Sequence, residues 1–553
     1  MPFKKTRAAS SNHPAPNVRE TLADRITVRY AKSQFDNSVK PFLPAGHLNA
    51  LVTRKSIVEE LTDKPLTPDE VELALQNDED HETVVDYVLL EAQKVFAITL
   101  ISGLCGGELN ETMWGFIQSD TNDTSLPLEE AVVTTDKTPP IFSKEHPTVT
   151  LKPDHIIPFI SKGSSTIQGG FAKVYKVSIH HAHRPDAEAD GNGNVPNLAI
   201  KEFIIPTSNK ESQEDALKVW VDEIDTLDKV SALRHENLIE KIAAIKRGQQ
   251  HCVVFLWAEG GDLRQFWQTF PRRMSASLVK DIISQLRGMA DAVEMLHNPE
   301  GTTHIRHGDI KPENILRFPG PDKRTIGTFK ISDFGSAKRH AVVTCLRGKT
   351  VDGRWATKVY EPPESMTNKS GATSRLYDIW SMGCVTLEWI IWLLYGNNEL
   401  TEFKAKIIDS FGDPTPFYVC QEMEEIREGS STTKYVAHIH PVVQGCFQDL
   451  SNDKECKNDT ALCSLLDIVM NKLLVVNVPG KAEVSASSNP QPSKEMETPN
   501  DQTSRAARTR ATAKEFVKAL DGILKHKNAS SDSYWFTGRS REGAGLAGTV
   551  VHI

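Results

Sequence analysis

The chain has 553 residues, 39% of them hydrophobic and 25% charged, enough to bury a large core and, by length, about three to four domain-sized units. Lysine and arginine number 64 against 73 aspartates and glutamates, a formal net charge of −9, so no global electrostatic attraction to nucleic acid or an anionic membrane is expected. The eight cysteines are scattered without the paired close spacing of a zinc or dithiol site, so free thiols in a reducing compartment are expected.

The N-terminus, MPFKKTRAASSNHPAPN, has early positive charge but no apolar run behind it, so no secretory signal is read there and a cytoplasmic or nuclear location is expected. Residues 1–35 are rich in Ser, Asn, Pro and charge without a sustained period, which predicts disorder. Residues 36–150 then read as a helical region with a linker. Thr67-Pro68-Asp69-Glu70 supplies a capping hydroxyl, a proline at the first helical position and an acid that reaches back, starting a helix through Val71, Leu73 and Leu75. A single second helix is expected through Val84, Val85, Val88, Leu89, Val95 and Phe96. No acid, base or thiol grouping here suggests chemistry, so the region is expected to pack, to engage a regulatory partner or to recruit substrate. Asp120 to Asp154, with its Thr and Pro, reads as the linker. The apolar runs Val95–Leu104 and Ile379–Tyr395 are too short to span a bilayer, and Glu388 interrupts the second, so buried helices are expected.

From Ile156 to Trp257 short β-type runs alternate with turns and one helix. IIPFISKGSSTIQGGFAKVYKVSI reads as a hairpin turning at Gly169 and Gly170. LAIKEFII places Lys201 in an apolar strand, where an ammonium needs a charged partner. The following helix, EDALKVWVDEIDTLDKV, turns Leu217, Trp220, Val221, Ile224 and Leu227 to one face with Glu223 at its rim, within reach of Lys201. Leu278–His297 is a strongly periodic helix. It leads into Thr303–Gly335, where Asp309 and Asn314 stand five apart and Asp333 ends a separate strand-like run. That layout suits phosphoryl transfer from a nucleotide: one carboxylate orients the attacking hydroxyl, and the other carboxylate with the amide oxygen holds magnesium against the phosphates.

At HGDIKPEN and ISDFG the chain resembles the eukaryotic-type protein kinases, and Lys311 is similar to the Ser/Thr-specific members. In layout the chain also resembles fungal kinase-domain proteins with a helical N-terminal region. The resemblance implies an α+β, two-lobed kinase fold over residues 151–527: a small antiparallel β lobe with one helix (151–256) and a larger, mainly helical lobe (257–527). It implies ATP and magnesium as cofactors and a protein as substrate. Ile167, Gln168, Gly169, Gly170 and Val174 would cover the phosphates, with Ala199 on the next strand. Phe255 would guard the back of the pocket, Leu256 and Ala258 would face adenine, Asp262 the ribose, and Leu316 the floor. Lys201, paired with Glu223, would contact the α- and β-phosphates. Asp309 would act as base, Lys311 would stabilise the transferring group, and Asn314 and Asp333 would bind the metal.

Two departures stand out. Ile167 and Ala172 replace two of the family's three loop glycines, and Gly308 replaces its arginine, on which a phosphorylated activation loop docks; a site assembled without that phosphorylation is expected. Downstream, TKVYEPPE resembles the end of an activation segment, with Thr357, Pro363 and Glu364 in the family's places. YDIWSMGCVTLEW matches the next core helix at Asp378, Trp380 and Gly383, and Arg510 is implied as the buried partner of Glu364.

Glu399–Leu474 reads as mostly helical and without chemistry, His438 and His440 being an isolated pair with no third ligand. Residues 479–504 are Pro/Ser-rich and predict a disordered insertion. Residues 528–553 form a tail, loose except for Tyr534-Trp535-Phe536 docked on the domain. The expected function is transfer of the ATP γ-phosphoryl group to Ser or Thr of proteins; the alternatives are a pseudokinase scaffold and a small-molecule phosphotransferase.

Overall fold

A computed structural model describes residues 20–125, 140–142, 148–169, 172–188, 194–206, 210–298, 304–320, 322, 325–336, 359–367, 375–409, 412–427, 430–477, 509–538 and 546. The chain divides into two compact units. The first comprises described residues of Met1–Ser164, Tyr175–Leu198 and Ile245–Gln249, and the second the remainder.

In the first unit, helices Arg54–Thr62, Pro68–Asn77, Glu79–Leu90, Gln93–Ile101 and Gly106–Gln118 enclose a core of Ile57, Val58, Val84, Val85, Val88, Phe96, Leu109 and Met113. Thr67 and Glu70 form the expected capping box: the Thr67 amide donates to Glu70 Oε2 at 2.7 Å and Pro68 opens the helix. The run from Val84 to Phe96 is two helices and not one. The chain turns at Glu91–Ala92, and the second helix starts there because Asp123 Oδ1 accepts the amides of Lys94 (2.8 Å) and Val95 (3.0 Å), satisfying donors that a helix start leaves open.

The disorder expected over residues 1–35 is corrected from residue 20 onward; residues 1–19 lie outside the described set. Leu22–Val28 is a helix started by a Thr21/Asp24 capping box, with Leu22 and Ile26 fully buried. Strand Ala31–Ser33 pairs antiparallel with Lys40–Phe42. The segment between them is held by the Gln34 amide on Phe159 O (2.9 Å), the Ser33 hydroxyl on Ile157 O (2.6 Å) and an ion pair of Asp36 with Arg247. Phe35 meets Phe159 edge to face. Part of the expected linker is also regular structure, since Thr148–Leu151 is a strand.

The expected α+β kinase fold, a β-sheet lobe with a helical lobe, is present. A six-stranded sheet runs in the order Thr148–Leu151, Lys241–Arg247, Gln250–Leu256, Leu198–Phe203, Ala172–Ile179, Phe159–Gly169. In the second unit, the helix Lys210–Ala232 follows the Lys201 strand, and helices Ala276–His297 and Leu376–Tyr395 form the centre of a large apolar core. Both apolar runs checked for membrane length fold as helices, and among the described residues no helix is long and apolar enough to cross a membrane.

The stretch Glu399–Leu474 corrects a further expectation. Tyr418–Arg427 and Ser430–Ile439 form a ten-residue antiparallel ribbon, which the polar-rich segment YVCQEMEEIR does not advertise as strand. His438 lies exposed on it, and His440 caps the helix Pro441–Asn452 through the Val442 amide. The insertion 479–504 lies outside the described residues. Arg510 and Glu364 pair as expected, at 2.6 and 3.0 Å, with both side chains buried. In the tail, Tyr534 and Trp535 are buried; the Tyr534 hydroxyl donates to Ile523 O (3.1 Å) and the Trp535 indole to Ala529 O (2.9 Å).

Candidate active site

The site is built in the second unit on one strand, one helix and two loops. The strand Leu198–Phe203 alternates buried and half-buried residues, so Lys201 emerges opposite the face of Leu198 and Ile200. Lys210–Ala232 buries Trp220, Ile224 and Leu227, and Glu223 on the same side is buried with them. The Lys201 ammonium donates to Glu223 Oε1 at 2.6 Å and to Asp333 Oδ1 at 2.8 Å. Burial acts against its charge, but the carboxylates of Asp333 and Glu223 outweigh this and hold its pKa above the ordinary lysine value. Residues predicted from three distant parts of the sequence therefore meet at one nitrogen.

The loop that carries Asp309 is fixed by Asp378, which has no exposed surface. Its carboxylate accepts the amides of His307 (2.9 Å) and Gly308 (2.8 Å) and bonds His297 Nε2 at 2.8 Å. Burial would raise the Asp378 pKa, yet the hydrogen bond and charge of His297 keep it below the usual aspartate value. His307 Nε2 donates to Ser332 O (2.9 Å), leaving Nδ1 to accept the Asp309 amide (3.2 Å), and its ring meets Phe334 edge to face. These contacts were missed at the sequence level. His307 sits beside Asp309 in the string but shows no periodicity or spacing that marks it.

Above this base, Asp309 Oδ2 accepts Lys311 Nζ at 2.9 Å and Asn314 Nδ2 at 3.1 Å, and Asn314 Nδ2 also donates to Asp309 O at 2.8 Å. Both side-chain donors go to Oδ2, and among the described residues none reaches Asp309 Oδ1. Burial raises the Asp309 pKa, opposed by Lys311 and reinforced by Asp333. The Ser332 amide and hydroxyl both donate to Asn314 O, at 2.8 and 2.9 Å, tying the Asp333 segment to the catalytic loop. Asp333 itself has φ of 64°, a left-handed conformation uncommon outside glycine.

The donor set fits a magnesium ion. With its nitrogen committed to Asp309, the Asn314 amide turns its oxygen the other way, and the Asp333 side chain is 43% exposed. One carboxylate and one amide oxygen suit a hard cation that keeps waters and phosphate oxygens as its other ligands. Among the described residues there is no group of three or more His, Cys, Asp or Glu arranged as an all-protein metal cage.

The remaining predicted residues fall as follows. Val174 and Ala199 are half-buried on adjacent strands, Ala258 is buried and Leu256 half-buried after the strand Gln250–Leu256. Leu316 bridges Asp262 across the loop, where the Gly260 amide reaches Arg317 O (3.2 Å) and the Arg317 amide reaches Gly261 O (2.8 Å). Asp262 caps the helix Leu263–Thr269 through the Gln265 amide (2.8 Å), so one of its oxygens is already engaged. Ile167, Gln168 and Gly169 end the strand Phe159–Gly169, and their side chains, with Gly170 and Thr357, lie outside the described residues.

A lysine held between a helix glutamate and a strand-end aspartate, beside an Asp309–Asn314 loop anchored on a core helix, is similar to the arrangement in eukaryotic-type protein kinase domains. In agreement, residues 168–438 match the protein kinase domain family. Relatives include the serine/threonine-protein kinase pelle of Drosophila melanogaster, 28% identical over 232 residues, which are 40% of this chain and 39% of pelle. Cyclin-dependent kinase 4 of Bos taurus is 31% identical over 202 residues, 35% of this chain and 59% of that protein. Cyclin-dependent kinase-like 2 of Rattus norvegicus is 29% identical over 198 residues, 35% of this chain and 33% of that protein. The chain thus spans less than two thirds of each of these relatives.

Proposed function

We propose that the chain is an active protein kinase that transfers the γ-phosphoryl group of ATP to serine or threonine hydroxyls of proteins. The observation that carries this reading is the single Lys201 ammonium bonded to both Glu223 and Asp333. A lysine so held is aimed and fully charged, as contact with the α- and β-phosphates requires. Asp309 Oδ1 would accept the substrate proton as the hydroxyl oxygen bonds to phosphorus and the bond to the bridging oxygen breaks, releasing ADP. Lys311, already on Asp309 Oδ2, would offset charge on the group in transit. Asn314 and Asp333 would hold magnesium, which supplies neutralisation of phosphate charge. Lys311 and the names of the relatives support the choice of serine and threonine; free cysteines among the described residues agree with a cytoplasmic or nuclear setting. The N-terminal helical region within residues 36–150 would engage a regulatory partner or recruit substrate.

A scaffold without catalysis is the second reading, favoured by Ile167 in place of a loop glycine. Radiolabel transfer from ATP to a generic basic protein and to the chain itself, by wild type and Asp309→Asn, separates the two. Label above background that vanishes in Asp309→Asn supports the kinase, and equal background from both supports the scaffold.

A further inference from the structure

In the second unit one buried carboxylate stands without a cation. Glu455, in the short turn Lys454–Cys456, is 1% exposed, and among the described residues no lysine, arginine or histidine pairs with it. Its oxygens accept instead from one threonine of the C-terminal segment: the Thr537 amide donates to Oε2 at 2.9 Å and the Thr537 hydroxyl to Oε1. Asp453, two residues earlier, adds a second carboxylate; its Oδ1 accepts the Glu455 amide (2.8 Å) and its Oδ2 the Tyr395 hydroxyl (2.9 Å). The threonine–carboxylate pairs at helix starts, Thr21 with Asp24, Thr67 with Glu70 and Thr512 with Glu515, differ in that their acids are exposed to water.

The Thr537 contact closes the C-terminal segment onto the helical lobe. Just before it, Tyr534 and Trp535 are buried against the helix Ala276–His297. Just after it, Gly538 turns with φ of 71° and a Cβ there would meet nothing within 4 Å, so open space lies directly beside Thr537. The next described attachment is the Leu546 amide on Glu399 Oε2, at 3.3 Å. With the segment closed, the Thr537 hydroxyl is spent on Glu455, so a phosphoryl group reaches it only when the contact opens locally. Once attached, that group prevents reclosure. A phosphothreonine has lost the donor proton and carries about −1.5 to −2 charge, and beside a buried carboxylate it meets like-charge repulsion and a desolvation cost.

We propose that Thr537 is a phosphoacceptor site and that its phosphorylation releases the C-terminal segment from the helical lobe. The Thr537 oxygen bonds to the γ-phosphorus of ATP, the bond from that phosphorus to the bridging oxygen breaks, ADP departs, and the hydroxyl proton passes to the base of the catalyst. That catalyst is this chain's own site, on the kinase reading above, or a second protein kinase; the chemistry at Thr537 is the same, and the experiment separates the two sources.

The test has two parts on the full chain. In the first, wild type and Asp309→Asn are isolated from the cells that naturally make the protein, and Thr537 is read by mass spectrometry before and after incubation with ATP and magnesium. Phosphate on Thr537 in wild type alone identifies self-modification, and phosphate in both identifies a second kinase. An unmodified Thr537 in every sample overturns the proposal, and label transfer to a generic basic protein by the same wild type reports separately on the kinase reading. In the second, chymotryptic cleavage after Tyr534 and Trp535, which are buried while the segment is closed, is timed with phosphothreonine installed at position 537 and in Thr537→Val, Thr537→Ser and Glu455→Gln. Thr537→Val should cleave about ten- to a hundredfold faster, the loss of one hydrogen bond to a charged group, and Thr537→Ser, which keeps both donors, at the wild-type rate. Phosphothreonine should accelerate cleavage at least as much as valine, and by severalfold less on the Glu455→Gln background, where the repelling charge is gone. The phosphothreonine comparison stands on the native sequence if Thr537→Val does not fold. Cleavage unchanged by phosphothreonine, or accelerated equally with and without the Glu455 charge, overturns the proposal.

Discussion

Replacing Arg510 by methionine removes a buried charge and leaves its partner behind. The Arg510 side chain has no exposed surface and makes four hydrogen bonds: two to Glu364, at 2.6 and 3.0 Å, and one each to Val475 O at 2.9 Å and Leu376 O at 3.1 Å. Its guanidinium also lies 5.0 Å from the centre of the Trp380 ring. Methionine fills much of the volume and supplies no donor, so the Glu364 carboxylate, 9% exposed, loses its guanidinium partner in a dry site. Breaking a buried pair from one side costs about 3–5 kcal/mol, and at roughly 2–4 °C per kcal/mol for a large domain the melting temperature should fall by about 6–20 °C. Urea unfolding followed by tryptophan fluorescence gives the first number and calorimetry the second. Glu364→Gln combined with Arg510→Met should be less destabilised than the sum of the single variants by about 1–3 kcal/mol, because the stranded charge is gone. A loss below about 1 kcal/mol in Arg510→Met, or strict additivity in the double variant, would refute the view that this pair joins the chain segments around residues 364 and 510.

Further outcomes follow from the site and the first unit. Glu223→Gln should lower kcat/KM for ATP by about 10²–10³ while leaving the melting temperature within a few degrees, measured by steady-state kinetics beside thermal unfolding. Asp309 must lose its proton to act as base and burial holds its pKa above 3.8, so the acid limb of kcat/KM should lie above that of an ordinary aspartate. Removing the opposing ammonium in Lys311→Met should move the limb to still higher pH, and a limb that moves down or stays would contradict the assignment. Asp36→Asn, which leaves Arg247 buried without its carboxylate, should destabilise the first unit by about 1.5–3 kcal/mol in denaturant titrations. The Arg247 and Lys40 pairings outweigh burial and lower the Asp36 pKa from 3.8. Its contribution is therefore present above that value and lost as pH falls through the depressed one, so the gap between wild type and variant should close in acid.

The chemistry was more legible in the sequence than the architecture around it. Lys201, Asp309, Asn314 and Asp333 stand in short strings whose letters single them out together, and the Glu223 register followed from the helix stripe that buries Trp220 and Ile224. Structure held together by backbone and distant partners was hidden. The break between Leu90 and Gln93 carries no glycine or proline; Asp123, thirty residues away, makes it. The helix Leu22–Val28 is only two turns and is embedded in a polar stretch, so its capping box alone had to announce it. Glu388 registered only as a flaw in an apolar run, since nothing local reveals that Tyr360 and Lys404 arrive to compensate it.

Gly308 has φ of 76°, a backbone state from which an L-residue with a Cβ is repelled by about 1–2 kcal/mol. The amide at that position is already spoken for by Asp378, so the loop reaches its shape through main-chain anchoring with no steric debt. Reintroducing arginine there would therefore not be a neutral restoration of a missing handle. It would load a spring directly behind Asp309, the next residue in the chain, and leave the loop less rigid at rest.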